Sequence, residues 1–159
     1  ASEGWKLGYG VVSGGARGVD KISMRAAYEI GAPSVGILAD SLEKTAKAAD
    51  TREALEGGRV CLMTPYSPTA GFSVGNAMGR NKLIHALADA SVVVAATEGS
   101  GGTWAGAVEA LEKNLCLVIV RSEADGADKL IAKGAVALND PCDLWRVLDE
   151  SAPAQGTLL

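Results

Sequence analysis

One stretch of the chain reads Ser13-Gly14-Gly15-Ala16-Arg17-Gly18-Val19-Asp20, where apolar residues give way to glycines and then to the start of a helical pattern. Glycine lets a backbone approach a ligand closely and reach positive φ. The helix that follows opens with unsatisfied N–H groups and a partial positive charge. Together these features make an anion site. Arg17 adds a forked donor suited to phosphate oxygens. Asp20 is placed to cap the helix or to orient Arg17. The same residues also describe a tight strand-to-helix turn with a solvated arginine, because a lone glycine motif is weak evidence for phosphate.

Two further stretches carry similar chemistry. In the segment from Gly71 to Lys82 (GFSVGNAMGRNK), Arg80, Asn81 and Lys82 occupy consecutive helical positions. Arg80 and Lys82 point about 200° apart, so they cannot share one direction. Asn76 and Arg80 are four apart and can face one groove. Gly75 and Gly79 leave a bare strip that costs about 1 kcal/mol each relative to alanine. Close approach of a ligand, or tight helix–sheet packing, would account for it. His85 sits among apolar neighbours on the same helix and reads as structural. In the segment from Glu98 to Glu109 (EGSGGTWAGAVE), a glycine turn again follows an apolar strand and opens a helix. Its amides can form an anion nest. Ser100 and Thr103 can donate to phosphate or cap the helix. Trp104 is a base-stacking candidate, against burial in the core or a partner subunit. The phosphate candidates are therefore Ser13, Gly14, Gly15, Arg17, Gly18, Asn76, Arg80, Asn81, Lys82, Gly99, Ser100, Gly101, Gly102 and Thr103. No residue is singled out as catalytic and no metal site is expected.

The elements that must position these groups follow from apolar periodicity. Strands are expected at Gly8–Ser13, Ser34–Ala39, Val60–Thr64, Ser91–Thr97, Leu115–Val120 and Ala135–Leu138. The Ser91–Thr97 run is the most hydrophobic and is expected to be central. Helices are expected at Val19–Ile30, Ser41–Leu55 with a break near Asp50, Val74–Ala88, Thr103–Asn114, Ala127–Lys133 and Pro141–Glu150. The first helix should place Val19, Ile22, Ala26 and Ile30 on its apolar stripe, with Lys21, Arg25 and Tyr28 opposite. Alternating strands and helices imply βαβ units: an α/β, Rossmann-like three-layer sandwich with a mostly parallel sheet and helices on both faces. Ligands of such sheets sit at the strand carboxyl ends, and three of those ends carry the notable residues, after Ser13, after Thr64 and after Thr97. One domain is expected over residues 1–150, with a flexible tail over 151–159.

Composition narrows the function classes. The chain has 159 residues, 48% hydrophobic, with 20 glycines and only 4% aromatics. Fifteen basic against nineteen acidic residues give a net charge of −4. A protein that coats nucleic acid through its whole surface is usually basic, so any such contact must be local. No membrane-length apolar run and no secretory signal are present, and three scattered cysteines without a CxxC pair suit the cytoplasm. These cysteines read as structural.

The motifs resemble those of the DprA/Smf DNA-processing family. SGGARGVD resembles that family's SGxARGID, the run from Gly79 to Asp89 resembles its RNRIIAGLSD segment, and Gly99–Glu109 resembles its SGSxxTAxxAxE segment, in the same order. The match spans about Tyr9 to Val120. The resemblance implies a Rossmann-like domain that binds and protects single-stranded DNA and helps to load a recombinase during DNA uptake or recombination. It also implies self-association as a homodimer, no cofactor and no catalytic turnover. DNA contact is carried over to Arg17, Arg80, Asn81 and Lys82. The family's opening strand, with its Gly-Ser-Arg loop, has no counterpart before the first motif; it lies upstream or is missing together with part of the phosphate site. The third motif is richer in glycine than the family form, which marks a divergent branch. The alternatives are a sensor for a nucleotide-derived ligand and a LOG-like nucleoside-monophosphate hydrolase. The latter family carries PGGxGTxxE, and the position of its glutamate is Gly106 here.

Overall fold

The structure, a computed structural model, describes residues 1–121 and 126–151. The backbone forms two compact units, Ala1–Leu87 and Ala88–Leu159. The tail expected from residue 151 lies, after its first residue, outside the described residues.

The first unit contains α1 (Ser2–Lys6), β1 (Val11–Ser13), α2 (Val19–Glu29), β2 (Ser34–Ile37), α3 (Leu42–Lys47), α4 (Ala49–Glu56), β3 (Val60–Met63) and α5 (Val74–Leu87). Its sheet has the order β1-β2-β3, entirely parallel, with Val11 opposite Ser34 and Ser34 opposite Val60. The three strands therefore end on one edge, which carries the Gly14–Gly18 turn, Asp40 and Tyr66. Both α2 and α5 pack on β1 and β2, while α3 and α4 contact β3. The first strand is shorter than expected because the N–H groups of Gly8 and Tyr9 bond back to the end of α1, at Trp5 and Gly4, and pairing with β2 starts at Val11. The polar helical stretch breaks at Ala48, whose backbone is extended, rather than at Asp50, which lies in the first turn of α4.

The face of α2 differs from the expected one. Val19, Ile22 and Ile30 are exposed, whereas Ala27 is fully buried and Met24 half-buried. The cause is the sheet beneath: a Cβ on Gly36 of β2 would come within 2.8 Å of Met24 Cε. A bare glycine on β2 receives a flexible methionine there, so the contacting face runs through Met24 and Ala27.

The second unit contains β4 (Ser91–Val93), α6 (Gly101–Glu112), β5 (Leu117–Val120), α7 (Gly126–Ala132), β6 (Val136–Leu138), a 3-10 turn at Pro141–Asp143 and α8 (Leu144–Ser151). Its sheet is parallel with the order β4-β5-β6. Within it the middle strand is β5, whose Leu117, Val118 and Ile119 are buried. Leu117 and Ile119 join Ala107, Ala110 and Leu130 on one face. Val118 joins Leu138 and Val147 on the other. Alternate residues of one strand thus meet α6 and α7 on one side and α8 on the other, and helices cover both faces. The expected Ser91–Thr97 strand stops at Val93, and Thr97 pairs only with Ser100 across the following turn. Among the described residues, no helix is long and apolar enough to cross a membrane.

Candidate phosphate site

β1 delivers Ser13, which is buried, into the Gly14–Gly18 turn, and Gly18 is the N-cap residue of α2 at φ 86°. Asp20, in the first turn of α2, folds its side chain back onto this turn. Its Oδ2 accepts from the Gly14 N–H at 3.0 Å and the Ala16 N–H at 3.3 Å. A carboxylate is favourable at this place because the helix N-terminus is positive. Asp20 therefore organises the turn rather than Arg17. Its ionic partner is Arg80, with Nη1 at 4.0 Å from Oδ2.

Arg80 comes from α5 and is only 6% exposed. Its Nε and Nη1 have no hydrogen-bond partner. The turn passes so close that a Cβ on Gly14 would overlap Nη1 and lie 2.7 Å from Asp20 Oδ2. A side chain at position 14 would displace the Arg80 guanidinium from its place against the turn. Burial lowers the Arg80 pKa from its ordinary value, while Asp20, Asp40 and Tyr66 act in the opposite direction. The guanidinium stays charged. All three strand ends of the first unit thus contribute a group near Arg80: the Gly14 turn after β1, Asp40 after β2 and Tyr66 after β3.

Tyr66 also settles what fills the bare strip on α5. Its hydroxyl donates to the Asn76 carbonyl at 3.0 Å, and a Cβ on Gly79 would lie 2.5 Å from that oxygen. At Gly79, then, tight packing by a tyrosine occupies the space. Gly75 has only Ser73 Oγ nearby, at 3.9 Å. Asp40 and Tyr66 were not among the phosphate candidates, and the one signal for them is their place directly after apolar strands.

The other candidates fall around this centre. Arg17 is exposed, and its side chain makes no hydrogen bond or ion pair among the described residues. Gly15 is half-buried and Gly18 exposed. On α5, Asn76 and Asn81 are half-buried and Lys82 is exposed. Ser13, Gly14, Asp20 and Arg80 are brought together directly.

The remaining candidates lie in the second unit. Gly99, Ser100, Gly101, Gly102 and Thr103 are all exposed, and the Ser100 N–H donates to the Thr97 carbonyl at 3.1 Å. Ser100 is the N-cap residue of α6, with no side-chain capping bond. Trp104 is half-buried against the core of this unit, which favours packing over base stacking. Glu109 pairs with Lys113 at 2.7 Å, well down the helix. Among the described residues, no three His, Cys, Asp or Glu side chains group as metal ligands.

The family model for DNA recombination-mediator protein A matches residues 1–149. Two solved structures are similar. One is DNA processing protein A (DprA) from Streptococcus pneumoniae, with a TM-score of 0.76 and 22% identity over 91% of this chain and 53% of that one. The other is DNA processing protein A from Helicobacter pylori, with a TM-score of 0.75 and 24% identity over 95% of this chain and 71% of that one. The second structure is described by its single-stranded DNA binding mode. The chain spans about half the length of the pneumococcal structure. These likenesses give the fold as Rossmann-like α/β. No curated protein sequence matches the chain.

Proposed function

This chain belongs to the DNA recombination-mediator protein A family, and from that premise we propose that it binds single-stranded DNA by its phosphates at the Gly14–Gly18 turn. The observation that carries this is Arg80: a buried guanidinium, two of whose nitrogens lack partners, pressed against a glycine turn at a helix N-terminus. An unmet buried donor costs stability, and retaining one in such a place fits a group kept for an anionic ligand. Arg17, exposed and unpaired, supplies the outward-reaching contact, and Asn76, Asn81 and Lys82 extend the surface along α5. In the second unit, the Gly99–Thr103 turn offers further amides. Because the chain is net negative at −4, attraction for DNA rests on these local groups. Phosphate reading of this kind positions a strand without selecting its sequence.

The proposed activity is binding without turnover. At the spacing where LOG-like hydrolases place a glutamate, this chain has Gly106, buried in α6. Self-association and delivery of the bound strand to a recombinase in the cytoplasm complete the proposal and rest on family membership. Fluorescence anisotropy with a labelled single-stranded oligonucleotide, with mononucleotides as competitors, tests the central part. Saturable binding that mononucleotides fail to displace is expected. Absence of oligonucleotide binding at low salt would refute the proposal, and displacement by mononucleotides would favour a nucleotide sensor.

A further inference from the structure

The Gly14–Gly18 turn is not an open cradle. Two of its N–H donors, those of Gly14 and Ala16, are taken by Asp20 Oδ2 at 3.0 and 3.3 Å. A carboxylate oxygen on backbone amides at a helix N-terminus has the chemistry of a bound phosphate oxygen. The same Oδ2 stands 4.0 Å from Arg80 Nη1, which is beyond hydrogen-bond distance. Arg80 meanwhile has two buried nitrogens with no partner, Nε and Nη1. The arrangement has more acceptor at the amides than at the guanidinium, although the guanidinium carries the full charge. The Asp20 side chain is 34% exposed, so an incoming anion can reach it.

We propose that Asp20 is an internal substitute for the ligand: its carboxylate holds the amides of Gly14 and Ala16 in the free protein, and a phosphate group takes them over as Asp20 shifts onto Arg80. This rests on the reading of the turn as a phosphate site and says how that site works. An exchange of this kind keeps the amides of Gly14 and Ala16 and the Asp20 carboxylate partnered at each stage. The turn stays ordered without ligand, and the unmet donors of Arg80 are satisfied only when the ligand is present. Asp20 then sets the threshold for binding, because any anion must outcompete it.

The groups around Arg80 supply the control. Asp40 also acts electrostatically on Arg80 but holds neither turn amide; its carboxylate accepts from Ser41 instead. Removing either acid makes the neighbourhood more positive, whereas only Asp20 competes for the amides. Asp20→Asn and Asp40→Asn are compared with the wild-type chain for inorganic phosphate and for a labelled single-stranded oligothymidylate, with thermal melts to confirm folding. Amide NMR of Gly14 and Ala16 follows the phosphate titration. Asp20→Asn is expected to bind phosphate about threefold to tenfold more tightly, with a smaller gain for Asp40→Asn. The Gly14 and Ala16 resonances of the wild type should move on saturation. Equal gains for the two variants, weaker binding by Asp20→Asn, unmoved resonances, or no phosphate binding by any of the three would overturn the inference. Phosphate binding with the expected order but no oligonucleotide binding would leave Asp20's role standing and remove the DNA assignment.

Discussion

Burying a charged side chain without full pairing costs a protein several kcal/mol, and removing one member of a buried pair is costly chiefly when the charge left behind is itself buried and uncompensated. Arg80 is a side chain buried in this way, 6% exposed with Nε and Nη1 unmet. Its partner Asp20 would keep its bonds to the Gly14 and Ala16 amides and its access to water if the arginine were lost. Arg80→Met is therefore expected to leave folding stability unchanged or to raise it by about 1 kcal/mol, while weakening oligonucleotide binding. Urea denaturation and anisotropy on the same sample read both quantities. A loss of more than about 2 kcal/mol with binding intact would make Arg80 a structural strut. The sequence pointed to Arg80 through its helical spacing from Asn76 and through the family motif. It did not show that the side chain is buried, because the contact with Gly14 joins residues far apart in the chain. The pairing of Asp20 with the turn amides escaped for a related reason: spacing placed it near the helix start but could not say which way the carboxylate turns.

At the scale of elements, burial is concentrated where strand and helix periodicities meet. β5 is covered on both faces in the second unit, and Ile119 is fully buried there against α6 and α7 residues. Ile119→Ala should cost about 2–5 kcal/mol of stability. Ile22→Ser on α2 should change it by less than about 0.5 kcal/mol, since Ile22 is 69% exposed. Chemical denaturation of the two variants checks the contrast; a large loss for Ile22→Ser would restore the apolar stripe expected from spacing alone. That stripe misled because three large apolar residues at helical spacing outweigh one alanine in any pattern, whereas the sheet selects small and flexible residues where Gly36 lets the helix close in. Five of the six strands were placed to within three residues at each end, because apolar runs bounded by glycine or proline are a strong local signal. The exception, Ser91–Thr97, remains apolar past Val93, and composition alone does not show where pairing stops. α1 was missed since five residues carry too little periodicity.

For the molecule as a whole, a net charge of −4 opposes any polyanion, so binding must come from a few cations and be strongly salt-dependent. Each phosphate neutralised on a single strand steepens the plot of log affinity against log salt by about 0.7. Family and fold class were legible from three ordered motifs, because those motifs lie at the turns that the βαβ pattern requires. The two-unit division of the backbone was not, since it depends on contacts across the chain rather than on any composition shift near Leu87. The direct test of the phosphate reading is the salt dependence of oligothymidylate binding for the wild type and Arg17→Ala, whose exposed side chain makes no hydrogen bond or ion pair among the described residues. The wild type should bind with a steep negative slope, and Arg17→Ala should bind more weakly with a slope shallower by about 0.7 and an unchanged melting temperature. Identical affinity and slope for the two proteins would contradict the phosphate site.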